Sequence, residues 1–116
     1  MQSTRSIKHN SEFRRLYASG KSAATAHIAV YCKRSRRGQS QLGLTVSTKV
    51  GKAVVRNRVR RRLKEIYRLH ESEIRRGFDI VIVARVQSRY ATYHQLERDF
   101  LRLMDKLDLH IGDLRQ

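Results

Sequence analysis

The sequence lacks long apolar runs and contains a single cysteine. No apolar run approaches the roughly 20 residues that a membrane span needs. The first ten residues, MQSTRSIKHN, also lack the apolar segment of a secretory signal. Cys32 cannot form an internal disulfide, and its place in an apolar run is typical of a packed small side chain. We therefore expect a protein of a reducing, cytoplasmic setting.

Acidic residues are scarce in the first part of the chain. Residues 1–70 contain 18 Lys and Arg against two acidic residues (18 − 2 = +16), whereas residues 71–116 contain eight of each kind. The first part therefore carries the whole net charge of +16. Such repulsion must be screened or matched by a partner, and an uneven distribution favours a defined binding face. Nucleic acid and an anionic membrane surface are the two candidate partners, and the second is disfavoured because the apolar arc of the basic helix is poor in anchors such as Trp or Phe.

The sequence also shows no pattern of a catalytic or metal site. Its five histidines have no metal-ligand spacing, and Cys32 has no Cys or His nearby in sequence. The segment GLTVSTKVGKA is no P-loop, because its glycine spacing differs and Ala53 replaces the required Ser or Thr. The pairs Glu71/Glu73 and Glu97/Asp99 lie near arginines and are interpreted as solvated or ion-paired. We predict no catalytic residue and no metal ligand, although a nuclease site built from distant residues stays an alternative.

Hydrophobic periodicity predicts a small α+β protein. A length of 116 residues with 40% hydrophobic content indicates one domain, residues 1–116, with residues 1–9 as a loose N-terminal segment. The predicted order is α-β-β(β)-α-β-α, with the optional strand near residues 21–26. Its main elements are helices over about 11–19 and 53–75, strands over 24–34, 42–48 and 78–85, and a last helix capped by Thr92 and Gln95. The expected architecture is a two-layer sandwich of one mixed sheet, with about four strands, and packed helices.

The second predicted helix is strongly basic, with seven Lys or Arg residues between Arg56 and Arg68. At 100° per residue, one arc is apolar and should pack on the sheet: Val55, Val59, Leu63, Ile66, Tyr67, Leu69 and Ile74. The opposite side carries Arg58, Arg60, Arg61, Lys64 and Arg68, with Asn57 among them. Arg62 falls inside the apolar arc, so its stem must snorkel over apolar neighbours. Because only Glu65 interrupts the positive charge, the pattern favours a polyanion-binding face over a merely solvated one.

This basic segment resembles the signature of the bacterial ribonuclease P protein subunit. The stretch KVGKAVVRNRVRRRLKEIYR contains the Arg-Asn-Arg pattern of that family as Arg56, Asn57 and Arg58, followed by a basic amphipathic helix. Three flanking segments resemble the family in order and spacing: SEFRRLYASGKS, LGLTVSTKVGKAV and FDIVIVAR. The resemblance covers about residues 5–108. One departure is Val86, where the family often has proline, and it bears on the shape of the following loop.

The resemblance implies a ribosomal-protein-S5-domain-2-like fold with a left-handed βαβ crossover through the basic helix. Sequence physics alone would not choose that hand, because right-handed crossovers dominate. The resemblance also implies a protein subunit of ribonuclease P that assists the catalytic RNA in removing the 5′ leader from precursor tRNA. The protein itself is then non-catalytic and has no cofactor, and Mg²⁺ of the holoenzyme is held mainly by RNA. The implied partners are the catalytic RNA, at one protein per RNA, and the precursor leader, with no DNA and no membrane.

Two sets of site residues follow from the resemblance. The predicted catalytic-RNA-binding set is Lys52, Arg56, Asn57, Arg58, Arg60, Arg61, Lys64 and Arg68. The predicted leader-binding cleft is Phe13, Arg14, Tyr17, Tyr31 and Lys33. Aromatic side chains suit single strands because bases stack on them, although Phe13 and Tyr17 also fit a plain core role. The alternative functions are a general RNA-binding or ribosomal protein and a DNA-binding regulator, which would need base-edge readout and usually a dimer.

Overall fold

The structure, a computed structural model, describes residues 4–7, 10–36 and 38–111. Its strands are β1 Arg5–Ser6, β2 Lys21–Ala24, β3 Ile28–Arg34, β4 Gln41–Val46 and β5 Phe78–Ala84. Its helices are α1 Asn10–Ser19, α2 Ala53–His70 and α3 Tyr93–Lys106, and short 3-10 turns cover Thr48–Val50, Glu71–Glu73 and Val86–Tyr90. The predicted order of main elements is confirmed, and the short strand expected near residues 21–26 is β2.

The strands form one mixed sheet in the order β1-β4-β5-β3-β2. β5 lies at the centre, parallel to β4 and antiparallel to β3. Its sequence, FDIVIVA, suits this place because a strand covered on both faces reads as a continuous apolar run. α2 connects the parallel neighbours β4 and β5, so it forms the expected crossover. The left hand of this crossover stays a prediction.

Two apolar clusters lie on opposite faces of the sheet, because alternate strand residues point to opposite sides. The larger cluster packs Val30, Ile80 and Ile82 against α2 and α3. The smaller cluster comprises Ile7, Leu16 and Val81, with Phe13, Tyr31 and Val83 packed against it. The sheet with α2 and α3 thus makes the predicted sandwich, and α1 covers part of the opposite face.

Residues 5–7 of the predicted loose N-terminal segment are ordered in the structure. Arg5 and Ser6 pair with Gln41 and Leu42 of β4 as a fifth, parallel strand, and Ile7 is buried. Backbone bonds from the Arg5 and Ile7 amides to Ser40 and Leu42 hold this strand in place. A two-residue strand is too short to show periodicity in the sequence. It forms because the edge of β4 offers backbone groups with which it can pair. Residues 1–3, 8 and 9 lie outside the described part of the chain.

The basic helix is shorter than predicted. α2 ends at His70 instead of Arg75, and a 3-10 turn continues to Glu73. Ile74 is buried, but in an isolated bridge with His110 and not on the helix. Leu69 is half exposed although it was placed in the packing arc; it lies at the edge of an arc centred on Val59, Leu63 and Ile66. Within the described residues, no helix is both long and apolar enough to cross a membrane.

Candidate nucleic-acid interface

An aromatic groove, defined here as Phe13, Tyr17 and Tyr31, lies where α1 crosses the sheet. The ring centroids of Phe13 and Tyr17 are 6.5 Å apart. Those of Tyr17 and Tyr31 are 4.8 Å apart, with the rings edge to face. Leu16, the adjacent apolar residue of α1, is buried in the smaller cluster and anchors the helix. The structure therefore brings the three predicted aromatic residues together.

The three rings differ in how far they serve the core. Tyr17 is 42% exposed, whereas Phe13 and Tyr31 are half-buried against the smaller cluster. The helical spacing of Phe13 and Tyr17 puts both on the face of α1 that meets the sheet. The core interpretation of Phe13 thus holds in part, and Tyr17 offers the largest free ring surface.

Gly43 of β4 makes room for the Phe13 ring. A Cβ atom at this glycine would lie 2.7 Å from Cε1 and 2.9 Å from Cζ of Phe13. Real Cβ contacts are longer than this, so any side chain at this position would displace the ring. The glycine therefore sets the depth at which Phe13 rests on the sheet. Sequence reasoning missed Gly43, because alternation alone gives no reason for a glycine there.

The two basic residues predicted for the cleft lie in different places. Arg14 lines an open cavity of about 470 Å³ together with Phe13, Tyr17 and Thr45. Lys33 lines other cavities, and its Nζ donates to Ser19 Oγ at 2.9 Å. Lys33 follows Tyr31 by two residues on the same face of β3, but it extends towards the end of α1. Only Arg14 therefore joins the aromatic groove directly.

The exposed face of α2 carries cations without protein partners. Within the described residues, the side chains of Lys52, Arg61 and Lys64 are exposed and form no hydrogen bond or ion pair. Their charge is therefore available to a ligand. No acidic residue occupies the first turn of α2, and Lys52 at its N-cap makes no side-chain capping bond. Both features leave the positive end of the helix open to anions.

Other predicted residues of α2 are held by the protein. Arg56 Nε donates to the Gly51 carbonyl at 3.1 Å, and Arg60 donates to Asn57 Oδ1 at 3.0 Å. Arg68 makes two 2.8 Å bonds with the carboxylate of Glu65. These hydrogen bonds fix the direction of each guanidinium or amide group. Such fixed groups suit directional phosphate contacts more than diffuse charge attraction.

Arg62 behaves as the snorkelling prediction requires. Its stem is half-buried, and its guanidinium donates to the carbonyl of Ala91 at 3.1 Å. Arg62 thereby ties α2 to the segment before α3. It also lines a groove of about 530 Å³ between these helices, together with Arg61, Lys64, Glu65, Arg68 and Tyr93. Burial and the nearby carboxylates of Glu97 and Glu65 raise the pKa of Tyr93, so its hydroxyl stays protonated.

Sequence reasoning missed an exposed aromatic residue beside the start of α2. Tyr90 is 70% exposed and ends the 3-10 turn that follows β5. The Arg89 guanidinium carbon lies 5.2 Å from its ring centroid, a cation–π distance. Arg58 donates to the Arg89 carbonyl at 3.2 Å and so joins this turn to α2. The signal in the sequence was RVQSRY, two arginines and a tyrosine without apolar alternation.

Histidines and threonines hold the carboxylates that were expected near arginines. His70 Nε2 lies 2.8 Å from Glu97 Oε2, and His110 Nε2 lies 3.0 Å from Glu73 Oε1. Glu71 accepts a short hydrogen bond from Thr4. The partners seen for Glu73 and Glu97 include histidines, and Glu71 has a threonine partner, so these carboxylates are held within the fold. Sequence distance hid these partners, since Thr4 and Glu71 are 67 positions apart.

A Thr-His-Asp cluster at Thr25, His27 and Asp99 does not have the geometry of a nucleophile. Thr25 Oγ1 donates to Asp99 Oδ2 at 2.9 Å, and His27 Nδ1 lies 2.7 Å from the same oxygen. In a catalytic triad the hydroxyl would bond to the imidazole instead. The cluster joins the β2–β3 turn to α3 and lies away from the aromatic groove. Within the described ranges, no group of three or more His, Cys, Asp or Glu is arranged to hold a metal ion.

Comparison with known proteins places the chain in one family. The family profile described as Ribonuclease P matches residues 1–108. The ribonuclease P protein component of Clostridioides difficile is 41% identical over 109 residues, which cover 93% of this chain and 96% of that protein. The component of Thermoanaerobacter sp. is 42% identical over 107 residues, covering 92% of each chain.

Solved structures of proteins from two bacteria have the same fold. The RNase P protein of Staphylococcus aureus superimposes with a TM-score of 0.83 at 30% identity, covering 90% of this chain and 96% of that chain. The RNase P protein of Thermotoga maritima gives a TM-score of 0.79 at 26% identity, covering 88% and 96%. The mixed sheet with three helices is therefore the architecture of these proteins.

Proposed function

The chain belongs to the ribonuclease P protein family, and we propose that it acts as the non-catalytic protein subunit that positions precursor tRNA on a catalytic RNA. In this proposal, residues 1–116 act as one domain in the cytoplasm, with one protein bound per RNA. The two RNAs meet different surfaces of the protein. The precursor leader binds the aromatic groove, and the catalytic RNA binds the exposed face of α2.

The observation that carries this proposal is the separation of the two surfaces by the sheet. Phe13 and Tyr31 pack on one face, in the smaller cluster. Val59 and Leu63 attach α2 to the other face, in the larger cluster. A protein with two RNA-binding surfaces on different layers can hold one RNA against another. That is the geometry a positioning subunit needs.

The aromatic groove suits a single strand. Every base has a π face, and stacking on an aromatic side chain is worth roughly 1–3 kcal/mol per base. Tyr17 presents a partly free ring, and Arg14 adds charge beside it. Stacking of this kind tolerates any base, because it depends on the π face and not on the base edge. We therefore expect it to accept leaders of varied sequence, which broadens the range of substrates.

The α2 face suits the phosphates of a folded RNA. Lys52, Arg61 and Lys64 provide free charge, and Arg60 and Arg68 provide oriented donors. Counterion release from the RNA would drive this binding. Asn57, whose side chain accepts from Arg60, keeps its amide nitrogen available as a donor.

The chemistry of cleavage belongs, in this proposal, to the RNA and the Mg²⁺ that the RNA holds. The residues of the chain bind and orient: the groove fixes the leader, and α2 fixes the protein on the catalytic RNA. The arrangement of Thr25, His27 and Asp99 is compatible with this division, because Thr25 contacts Asp99 and not the imidazole as in a catalytic triad.

Reconstitution with a catalytic RNA of the same source tests the proposal. The chain should raise cleavage of a labelled precursor tRNA at low Mg²⁺, with a single cut at the 5′ end of the mature tRNA. The protein without RNA should cut nothing. A chain that binds both RNAs but leaves the cleavage rate unchanged would instead be a general RNA-binding protein.

A further inference from the structure

A second concave basic surface lies at the end of the sheet away from the start of α2. This cavity of about 750 Å³ is bordered by the start of β2, the end of β3, the residues before β5 and the residues after α3. Gly20, which follows α1, forms part of its wall; a Cβ there would lie 2.6 Å from the Cys32 carbonyl oxygen. We call this cavity the distal basic pocket.

The distal basic pocket concentrates positive charge. Its lining includes five basic side chains and one acidic side chain (5 − 1 = +4): Lys21, Lys33, Arg34, Arg75, Arg76 and Asp108. Asp108 partly offsets Arg75, whose Nη2 lies 3.7 Å from Oδ1 and whose Nε donates to the Asp108 carbonyl at 2.8 Å. The side chains of Lys21 and Arg76 are exposed and have no hydrogen bond or ion pair within the described residues.

An aromatic platform lies among these charges. The guanidinium carbon of Arg34 lies 5.5 Å from the ring centroid of Phe78. Phe78 is half-buried and lines the pocket together with Leu107 and Ile111. A planar guanidinium and an aromatic ring are the two kinds of side chain on which nucleobases stack. Charge and a stacking platform thus occur together, as they do in single-strand binding sites.

The backbone at Asp108 is unusual and shapes the pocket. Asp108 has a φ of 59° and is the one described residue other than glycine with a positive φ. This left-handed conformation follows α3 and directs the Asp108 carbonyl to Arg75. Aspartate tolerates the conformation better than most residues do. The turn therefore holds Arg75 at the rim of the pocket while the carboxylate stays exposed.

We propose that the distal basic pocket binds a segment of single-stranded RNA, with phosphates on Lys21, Arg75 and Arg76 and a base on Arg34 and Phe78. The pocket contains no residue of the aromatic groove and none of α2, so it is a third RNA-binding surface. Lys33, assigned to the leader cleft on sequence grounds, belongs here. The inference rests on the proposed function only for the identity of the bound RNA. That RNA is either the part of the leader beyond the groove or a segment of the catalytic RNA.

Titration of the isotope-labelled full chain with hexauridylate, followed by amide spectra, tests the site directly. The Gly20 and Asp108 amides should shift and saturate. In a Lys21→Gln/Arg76→Gln variant, the affinity obtained from these shifts should fall about tenfold. The slope of log affinity against log salt should be lower by about 1.4, because two phosphate contacts are lost. Asp108→Asn, which keeps the left-handed turn accessible, should bind more tightly because a repelling charge is removed.

A control of equal charge separates the pocket from diffuse attraction. Arg98→Gln/Arg102→Gln removes two exposed charges from α3, outside the lining of the pocket, and should leave the shifts of Gly20 and Asp108 nearly unchanged. Equal losses in both double variants would overturn the proposal. So would shifts confined to α1 and α2, or an Asp108→Asn variant that binds no better than wild type.

Holoenzyme measurements identify the source of the strand. If the strand is the distal leader, the Lys21→Gln/Arg76→Gln variant should weaken binding of long-leader precursors and spare short-leader ones. If the strand belongs to the catalytic RNA, the same variant should weaken assembly with that RNA for every substrate. Either result supports the pocket, and no change in both measurements contradicts it. A failure to stimulate cleavage would count against the proposed function and leave the hexauridylate result untouched.

Discussion

The ring of Tyr17 meets the ring of Tyr31 edge to face, at a centroid distance of 4.8 Å and an interplanar angle of 74°. Edge-to-face pairs of this kind stabilise a fold by about 0.5–1.5 kcal/mol beyond their buried area. Tyr31 also packs against the smaller cluster, so its replacement would disturb the core as well as the groove. Tyr17, with 42% of its surface exposed, separates binding from folding better.

Gly43→Ala should weaken leader binding although it replaces no residue of the aromatic groove. The new methyl group would meet the Phe13 ring at under 3 Å, and the ring, at the far end of a flexible side chain, should swing out of its seat. We expect a several-fold loss of affinity for precursors with long leaders, measured by equilibrium binding to the holoenzyme. The circular dichroism spectrum should stay that of wild type. Unchanged leader affinity would mean that the position of Phe13 is irrelevant to the groove.

Arg61→Ala should weaken assembly with the catalytic RNA while leaving the fold intact, because Arg61 has no partner within the described part of the protein. Removal of one phosphate contact should lower the slope of log affinity against log salt by about 0.9. Arg98→Ala, a loss of equal charge on α3, is the matched control and should barely change the slope. Equal effects of the two variants would remove the RNA surface from α2.

Substitution of Arg58 or Arg62 should affect stability, unlike substitution of Arg61. Arg58 donates to the Arg89 carbonyl, and Arg62 donates to the Ala91 carbonyl. Substitution of either residue by alanine breaks a bond that holds the turn before α3. We expect Arg62→Ala to lower the free energy of unfolding by about 0.5–1.5 kcal/mol, the usual net worth of such a hydrogen bond. A urea titration of Arg61→Ala in parallel should show no comparable loss.

Anions should stabilise the folded protein, because only the folded state gathers the +16 charge into defined surfaces. Sulfate at ten times its dissociation constant would contribute about 1.4 kcal/mol, which should appear as a rise of a few degrees in Tm. The titration must be done at fixed ionic strength, with chloride replaced by sulfate. A Tm that does not change on this exchange would show that neither the α2 face nor the distal basic pocket is a preformed anion site.

Asp79→Asn should stabilise the protein, and the gain should depend on pH. Burial raises the pKa of Asp79 above its ordinary value of 3.8, despite the hydrogen bond from Gln41 at 2.9 Å. As pH rises, the unfolded chain therefore loses this proton before the folded protein does, and the ionised group then weakens the fold. The difference in urea midpoint between variant and wild type should grow from the ordinary aspartate pKa up to the raised one and stay constant above it. A difference that is equal from roughly pH 3.5 to 7 would contradict this assignment.

The main helices and strands of this fold could be predicted because their sequences have a clear hydrophobic periodicity. The run FDIVIVA became the central strand, and Thr92 with Gln95 forms the predicted capping box of α3. β1 and the end of α2 were missed. A two-residue strand carries no period, and the bridge between Ile74 and His110 is a tertiary contact that local sequence does not reveal.

The candidate site was predictable where residues share one helix or one strand face. Phe13 and Tyr17 follow helical spacing, and the free cations of α2 follow from its basic arc. Lys33 extends towards Ser19 at the end of α1 and not towards the three rings. That direction could not be predicted, because strand alternation gives a face but not the position of a crossing helix. Gly43 and the distal basic pocket depend on packing between distant segments and have no local signature.

The assignment of the leader to the aromatic groove and of the catalytic RNA to α2 can be tested with Tyr17→Ala and one control variant. Precursors with leaders of several nucleotides and of one nucleotide are bound to holoenzymes containing wild-type protein, Tyr17→Ala or Tyr90→Ala, an exposed tyrosine outside the groove. Tyr17→Ala should cost roughly 1–3 kcal/mol of affinity for the long leader, and almost nothing for the short one. Its affinity for the catalytic RNA should match wild type, and any effect of Tyr90→Ala should be independent of leader length. Equal losses of Tyr17→Ala for long and short leaders would contradict the groove as the leader site.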